Sequence, residues 1–160
     1  MNKFTIEIKW GILFVLASLL WVVFEKTMGW HAELISKQSI YTNIFGFIAV
    51  LIYFLALRDK RANFYNGEMT WRQGFVAGIV VTLVVTIFAP LTQYITSAYI
   101  SPDYFNNIIA YTVENTTMKQ EQAEAYFNLK SYIIQATFGA LVMGVVTAAA
   151  VAWFLKTKKE

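Results

Sequence analysis

The chain has 160 residues, of which 58% are hydrophobic and 17% aromatic, while only 14% are charged. Soluble domains typically carry about 25% charged residues, so this composition excludes an ordinary soluble domain and favours a lipid environment. The net charge of +3 gives no support to nucleic-acid binding. The absence of cysteine excludes disulfides and thiolate chemistry, and a single histidine excludes a multi-histidine metal site within one chain.

Four apolar stretches are long enough to cross a hydrocarbon layer about 30 Å thick, which requires a helix of about 20 residues. They cover about residues 10–30, 40–57, 71–95 and 131–155. The first stretch lacks a small-x-small cleavage site and ends in VVFEKTMGW, so we interpret it as a retained helix and not as a signal peptide. The predicted fold class is therefore all-α, an integral membrane four-helix bundle in a single domain.

The first span contains an ionisable residue, Glu25, roughly 7 Å inside the predicted boundary of the lipid layer. An ionisable residue at this depth is by default a candidate functional group. Three further polar side chains fall at a similar level on the other spans: Asn43, Gln93 and Gln135. If all four helices turn these side chains inward, they form a polar pocket, with His31 and Glu33 above it. The alternative is that Glu25 and its neighbour Lys26 reach the headgroup region by snorkelling.

The basic residues predict the orientation of the chain, because cytoplasmic loops are enriched in Lys and Arg. With both termini on one side, that side holds nine basic residues: Lys3, Lys9, Arg58, Lys60, Arg61, Arg72, Lys156, Lys158 and Lys159. The other two loops hold Lys26, Lys37, Lys119 and Lys130. This distribution predicts a multi-pass membrane protein with both termini in the cytoplasm.

The third and fourth spans share a pattern of small or conformationally special residues at every fourth position. In the third span these are Gly74, Gly78, Thr82, Thr86 and Pro90, and in the fourth they are Ala136, Ala140, Gly144, Ala148 and Ala152. Residues four apart lie on one helix face, and small side chains let helices approach closely in lipid. We expect the two faces to pack together within the chain; the alternative is that one of them contacts a second copy in a homodimer. In either case, leucine at Gly78 or Gly144 should be more disruptive than leucine at Val81.

The longest polar stretch, residues 101–130, lies between the third and fourth spans. Its first residues, SPDYF, predict a helix capped by Ser101. Four apolar side chains then share one face, which predicts a short amphipathic helix on the outer surface: Tyr104, Phe105, Ile108 and Ile109. Thr117 and Gln120 resemble a capping box, and residues 118–135 contain no Gly or Pro, so we expect one helix that continues into span four. The segment is either a surface for a ligand or protein partner, or a connector that covers the bundle.

Four stretches of the sequence carry a family resemblance: NFYNGEMTWRQGF, LTQYITSAYISPDYF, EAYFNLKSYIIQ and GALVMGVVTAAAVAWF. They resemble an uncharacterised family of four-span bacterial inner-membrane proteins that share a domain of unknown function. The resemblance covers nearly the whole chain and implies the same fold and location. It brings no known activity, so it implies no catalytic, cofactor-binding or metal-binding residues.

The residues show no nucleophile–base spacing, no phosphate-binding glycine loop and no metal-ligand spacing, so we expect neither an enzyme nor a cofactor. Two functions stay open. The first is a non-enzymatic structural or accessory membrane protein that acts through its outer segment, with membrane lipids and a protein of unknown identity as partners. The second is a small oligomeric transporter or channel component, which requires Glu25 to face the bundle interior beside Asn43, Gln93 or Gln135.

Overall fold

A computed structural model describes residues 3–157, so Lys158 and Lys159 of the predicted basic terminus lie outside the described residues. The helices in chain order are α1 (Thr5–Thr27), α2 (Ile35–Thr42), α3 (Phe45–Asn63), α4 (Trp71–Ile95), a π-helical turn (Thr96–Ile100), α5 (Tyr104–Asn115), α6 (Gln120–Tyr126) and α7 (Leu129–Leu155). Four helical stretches are long and apolar enough to cross a membrane: 5–27, 35–63, 71–100 and 129–155. The predicted all-α class with four apolar spans is therefore confirmed.

The four spans form a bundle in which α4 makes its most extensive contact with α7 and also contacts α1 and α3. α3 in turn contacts α1 and α7. We call the end where α1 and α4 begin and α3 and α7 end the basic end. The opposite end carries α2, α5 and α6, which we call the far-end cap.

The turn that leads into α4 at the basic end follows directly from its sequence. Asn66 and Gly67 both have positive φ angles, 51° and 90°, a conformation that Asn tolerates and Gly adopts freely. Thr70 then caps α4, because its hydroxyl accepts a hydrogen bond from the Gln73 N–H while the Gln73 side chain accepts one from the Thr70 N–H.

Helices α4 and α7 approach each other through small residues in their basic halves. A Cβ on Gly78 would lie 2.5 Å from the Ala148 Cβ, and a Cβ on Gly74 would lie 3.1 Å from the Ala152 Cβ. Gly78 lies one turn after Gly74 on α4, and its partner Ala148 lies one turn before Ala152 on α7, as antiparallel packing requires. A larger side chain at Gly78 would therefore force the two helices apart.

Gly144 makes room for a polar contact in the middle of the bundle. A Cβ on this residue would lie 2.7 Å from the Thr82 Oγ1 and 2.8 Å from the Tyr53 hydroxyl oxygen. Those two oxygens are themselves 2.8 Å apart, and the Thr82 hydroxyl also lies 2.9 Å from the Gly78 carbonyl oxygen. The glycine thus allows α3, α4 and α7 to share a buried hydrogen-bonded contact.

In the far half of the bundle, the same small-residue faces have different surroundings. Ala136 and Ala140 of α7 line an open cleft. Thr86 on α4 has a buried hydroxyl oxygen that meets no hydrogen-bond partner in the described part of the chain. Pro90 lies inside α4, which continues past it to Ile95 and then into the π-helical turn.

A buried ion pair joins α1 to α3 at the basic end. The Lys60 ammonium lies 2.8 Å from Glu7 Oε1, and each of these residues is only 2% exposed. The same ammonium donates a hydrogen bond to the Lys3 carbonyl oxygen and lies 3.7 Å from the centre of the Phe64 ring. Burial of both charges makes each of them dependent on the other.

The start of α5 corrects one sequence-based expectation. α5 begins at Tyr104 with Asp103 at the N-cap position and without a side-chain cap. Ser101 does not cap the helix, because its hydroxyl makes a hydrogen bond to His31, 70 residues away in sequence. A tertiary partner has therefore replaced the local capping interaction.

The expectation of one continuous helix over residues 118–135 is wrong. α6 ends at Tyr126, and α7 begins at Leu129 behind a new N-cap, Asn128, whose side chain accepts a hydrogen bond from the Ser131 N–H at 3.0 Å. Asparagine favours this position because its side chain satisfies an otherwise unpaired N–H of the first turn. Thr117 does not cap α6 either, since Lys119 occupies the N-cap position.

Candidate functional site

A buried polar network lies between the far end of α1 and the far-end cap, and it centres on Glu25. This residue is only 3% exposed. Its Oε1 accepts hydrogen bonds from the Trp21 indole at 2.9 Å and from the Thr42 hydroxyl at 2.5 Å, and its Oε2 lies 3.2 Å from the His31 Nε2. A buried carboxylate is tolerated only when its oxygens have partners, and both oxygens of Glu25 have them.

His31 extends the network from α1 to the segment after the third span. Its Nδ1 lies 2.7 Å from the Ser101 Oγ, and its backbone carbonyl accepts a hydrogen bond from the Asn107 side chain at 2.9 Å. Both His31 and Ser101 are buried. One histidine therefore connects α1, the end of the π-helical turn and α5.

Tyr104 closes the network on the side of α5. Its ring packs edge-on against His31 with 5.1 Å between centroids, and its hydroxyl donates to Gln38 at 3.3 Å and lies 3.2 Å from the Tyr132 hydroxyl. Burial, reinforced by Tyr132 and Glu25, raises the pKa of the Tyr104 phenol far above its usual range. The phenol thus stays protonated and acts as a hydrogen-bond donor.

The loop after α1 reverses the chain and brings the His31 side chain back to Glu25. Gly29 has a φ of 76°, a left-handed conformation that glycine adopts without a steric penalty. The Trp30 N–H donates to the Glu25 carbonyl at 3.1 Å, and the Trp30 indole stacks on the Tyr41 ring with 4.3 Å between centroids. These contacts fix the chain direction so that the next side chain, His31, points at the Glu25 carboxylate.

A small pocket of about 230 Å³ adjoins this network. His31 and Ser101 form part of its wall, and so do charged residues of both signs: Lys26, Glu33 and Asp103. Serine, histidine and a carboxylate also make up hydrolase triads. Ser101, however, is only 5% exposed, which leaves little room for a substrate carbonyl at its Oγ. Within residues 3–157, no group of three or more His, Asp or Glu side chains is placed to hold a metal ion.

The structure does not bring the four predicted pocket residues together. Glu25 is buried, but its partner from α2 is Thr42 and not Asn43. Asn43 is exposed, and its side chain donates to a carbonyl one turn earlier in its own helix. Gln93 is partly buried, and its amide nitrogen lies 3.5 Å from the Ser97 hydroxyl.

Gln135 is also separate from Glu25. It is exposed on α7, where the Tyr126 hydroxyl lies 3.4 Å from its side-chain oxygen. Asn43 and Gln93 both line the open cleft that Ala136 and Ala140 also line. The pocket predicted from the sequence is thus corrected to two sites, a buried network around Glu25 and an open cleft beside it.

Sequence reasoning did not assign seven members of the network to the pocket: Trp21, Gln38, Thr42, Ser101, Tyr104, Asn107 and Tyr132. Trp21 and Glu25 are four residues apart, and this helical spacing could have predicted their contact. Thr42 lies 17 residues from Glu25 and Ser101 lies 70 from His31, so no local pattern connects them. Only the packing of the segments brings them together.

The family comparison agrees with the helical architecture. A family model described as "Protein of unknown function (DUF4199)" matches residues 9–157. No curated protein and no solved structure matches the chain. Four long apolar helices indicate a membrane-embedded protein. With almost its entire length covered by the family model, the chain belongs to the DUF4199 family of proteins of unknown function.

Proposed function

We propose that this chain is a non-enzymatic accessory protein of the bacterial inner membrane, which presents its far-end cap to a protein partner outside the lipid layer. In this proposal the basic end faces the cytoplasm, because cytoplasmic loops are enriched in Lys and Arg. At the basic end, the last turns of α3 hold Arg58, Lys60 and Arg61, and the first turn of α4 holds Arg72. The far-end cap then lies on the outer side of the membrane.

The observation that supports this proposal is the buried network around Glu25. Ionisable groups at membrane depth are costly and are retained where they serve a purpose. Here Glu25 binds Thr42 at the end of α2, and through His31 it is connected to Ser101 and to Asn107 on α5. Its contacts hold the cap on the bundle. A fixed cap is what a partner-binding surface needs.

The cap also presents a charged surface away from the spans. Its acidic side chains Glu114, Glu121 and Glu124 are exposed, and so is Lys119. A rim of exposed charges suits a polar protein surface and not the lipid interior. We therefore place the partner contact on α6 and the end of α5.

The orientation can be tested by labelling, because the chain contains no native cysteine. A cysteine at Glu121 should react with a membrane-impermeant maleimide in intact spheroplasts. A cysteine at Ala62, an exposed position near the end of α3, should react only after permeabilisation. The reverse pattern would place the far-end cap in the cytoplasm and contradict the proposal.

Replacing Glu25 with alanine is expected to loosen the cap. The change leaves the buried His31 and the partly buried Trp21 indole without their acceptor, and an unsatisfied buried group costs about 1–3 kcal/mol. It also removes the bond that the exposed Thr42 hydroxyl makes from α2 to α1. Because 1.4 kcal/mol corresponds to about tenfold in an equilibrium constant, amides of residues 101–115 should exchange with deuterium about tenfold faster or more. The exposed residue Glu33 provides the matched control, and Glu33→Ala should leave this exchange unchanged.

The same variant tests the function. A photo-reactive amino acid at Glu121 should give discrete cross-linked protein adducts in living cells, and Glu25→Ala should weaken them because the cap is no longer held.

The second candidate function, movement of protons or ions through an oligomer, is favoured by the burial of Glu25 beside the small pocket. It predicts instead a proton flux in proteoliposomes that Glu25→Gln abolishes while the exchange rates of the cap stay the same. That result would overturn the accessory role.

A further inference from the structure

The open cleft that Asn43 and Gln93 line, beside the Glu25 network, has a volume of about 790 Å³. It lies in the far half of the bundle, and α1, α3, α4 and α7 all contribute to its wall. Its rim includes Phe47 of α3, which is 80% exposed, and Met143 of α7, which is 63% exposed. The cleft therefore opens sideways between α3 and α7, toward the surroundings of the spans.

Two glycines in the cleft have no role in packing within the chain. A Cβ on Gly46 or on Gly139 would meet nothing within 4 Å, whereas a Cβ on Gly78 would lie 2.5 Å from the Ala148 Cβ. The glycines of the basic half thus permit helix contact, and those of the cleft leave space. This space is widened further by alanines in the wall: Ala49, Ala89, Ala136 and Ala140.

The chemistry of the wall limits what can fill the space. Among residues 3–157, no charged side chain lines the cleft, and most of its surface consists of apolar side chains. Six uncharged polar residues line it, and four of them lie at the far end of the spans, where α2 meets α3 and near the end of α4: Thr42, Asn43, Thr92 and Gln93. The other two are Ser18 of α1, whose hydroxyl donates to the Val15 carbonyl oxygen, and Thr147 of α7. A molecule that fits this wall has a long apolar part and an uncharged hydrogen-bonding part at one end.

A flexible hydrocarbon chain suits the length of the cleft. The α7 wall runs from Ala136 to Thr147, so at a rise of 1.5 Å per residue it extends about 16 Å along the helix. A single hydrocarbon chain can follow a cleft of this length. A helix of a second copy is the competing occupant, and the oligomeric state of the wild type distinguishes the two.

We infer that the cleft between α3 and α7 binds one acyl chain of a glycerolipid, with its ester region beside Asn43 and Gln93. The four spans cross the lipid layer in the proposed topology, so the open side of the cleft faces hydrocarbon and lipid enters it laterally. Since the wall carries no charge, binding depends on the chain and the ester, and not on the charge of the headgroup. This inference concerns a different surface from the partner contact of the far-end cap and does not depend on it.

The test measures lipid retention by native mass spectrometry of the purified full chain in detergent. Palmitoyl-oleoyl phosphatidylglycerol and phosphatidylcholine serve as probes, and both should add one lipid per chain with similar affinity. Gly139→Phe fills the cleft and should weaken binding about tenfold or more, the effect of about 1.4 kcal/mol. The matched control is Val142→Phe, because Val142 is 57% exposed on the same helix and does not line the cleft.

A second variant distinguishes a filled cleft from a misfolded protein. Gly46→Phe fills the cleft from the α3 wall, and it should have the same effect on lipid retention while the thermal stability in detergent is unchanged. Equal retention of lipid by the wild type and by both glycine variants would overturn the inference. So would a wild-type dimer that Gly139→Phe dissociates, because a second copy would then occupy the cleft.

Discussion

Replacing Gly144 with leucine is expected to destabilise the bundle by about 3 kcal/mol or more, at or beyond the upper end of the usual cost of overpacking a core. A Cβ at this position already lies 2.7 Å from the Thr82 Oγ1 and 2.8 Å from the Tyr53 hydroxyl oxygen. Leucine would therefore push α7 away from α4 and break the hydrogen-bonded contact between Tyr53 and Thr82. Gly78→Leu should have a comparable effect, because its neighbour is the backbone and Cβ of Ala148. Unfolding in mixed detergent micelles measures both changes.

The control for this experiment has to be chosen from the structure. Val81 is completely buried, so the comparison with Val81→Leu that the sequence favoured does not report on a lipid-facing position. Val146 is 59% exposed on α7, and Val146→Leu should change the free energy of unfolding by less than about 0.5 kcal/mol. If Gly144→Leu and Val146→Leu unfold alike, close packing of α4 and α7 does not stabilise the bundle.

Replacing Lys60 with methionine is expected to cost about 3–5 kcal/mol, the usual result of removing one partner from a buried ion pair. Glu7, at 2% exposure, would lose the ammonium that lies 2.8 Å away. The double variant Glu7→Leu with Lys60→Met removes both charges. It should recover most of the stability, because apolar replacements of a complete buried pair are often neutral or stabilising. The measurement is again the free energy of unfolding in mixed micelles.

A second ion pair between the same helices provides the matched control. Lys9 and Asp59 also join α1 to α3, but the Lys9 side chain is 53% exposed. Exposed pairs contribute about 0.2–1 kcal/mol, so Lys9→Met should be several-fold less destabilising than Lys60→Met. Equal effects of the two single variants would show that burial does not determine the strength of the Lys60 pair.

Some of the fold could be read from the sequence because it depends on local spacing. The number of spans follows from the length of each apolar run, since a helix must cover the hydrocarbon layer. The approach of α4 to α7 follows from small residues four apart, which occupy one helix face; the structure places Gly78 against Ala148 on those faces. The Thr70 cap of α4 depends only on residues within one helical turn.

Other local patterns were overruled by partners from elsewhere in the chain or by a second local signal. Ser101 has the right sequence neighbours for a helix cap, yet its hydroxyl binds His31. The stretch 118–135 has no helix breaker, yet Asn128 starts a new helix there. A hydroxyl or amide side chain has several possible partners of similar strength. Which one it takes depends on the segments that pack against it.

By itself, the sequence determined that this is an all-helical chain with four apolar spans and a polar segment between the last two. It also singled out Glu25 as an ionisable residue within the first apolar span. Only the tertiary structure decided that Glu25 binds Thr42 and His31, while Asn43 and Gln93 line the adjoining cleft, which Thr42 also borders. The physical reason is that residue spacing determines which side chains share a face of one helix. The packing of all four spans together sets the rotation of that helix about its axis. This rotation decides which residues of other helices the face contacts.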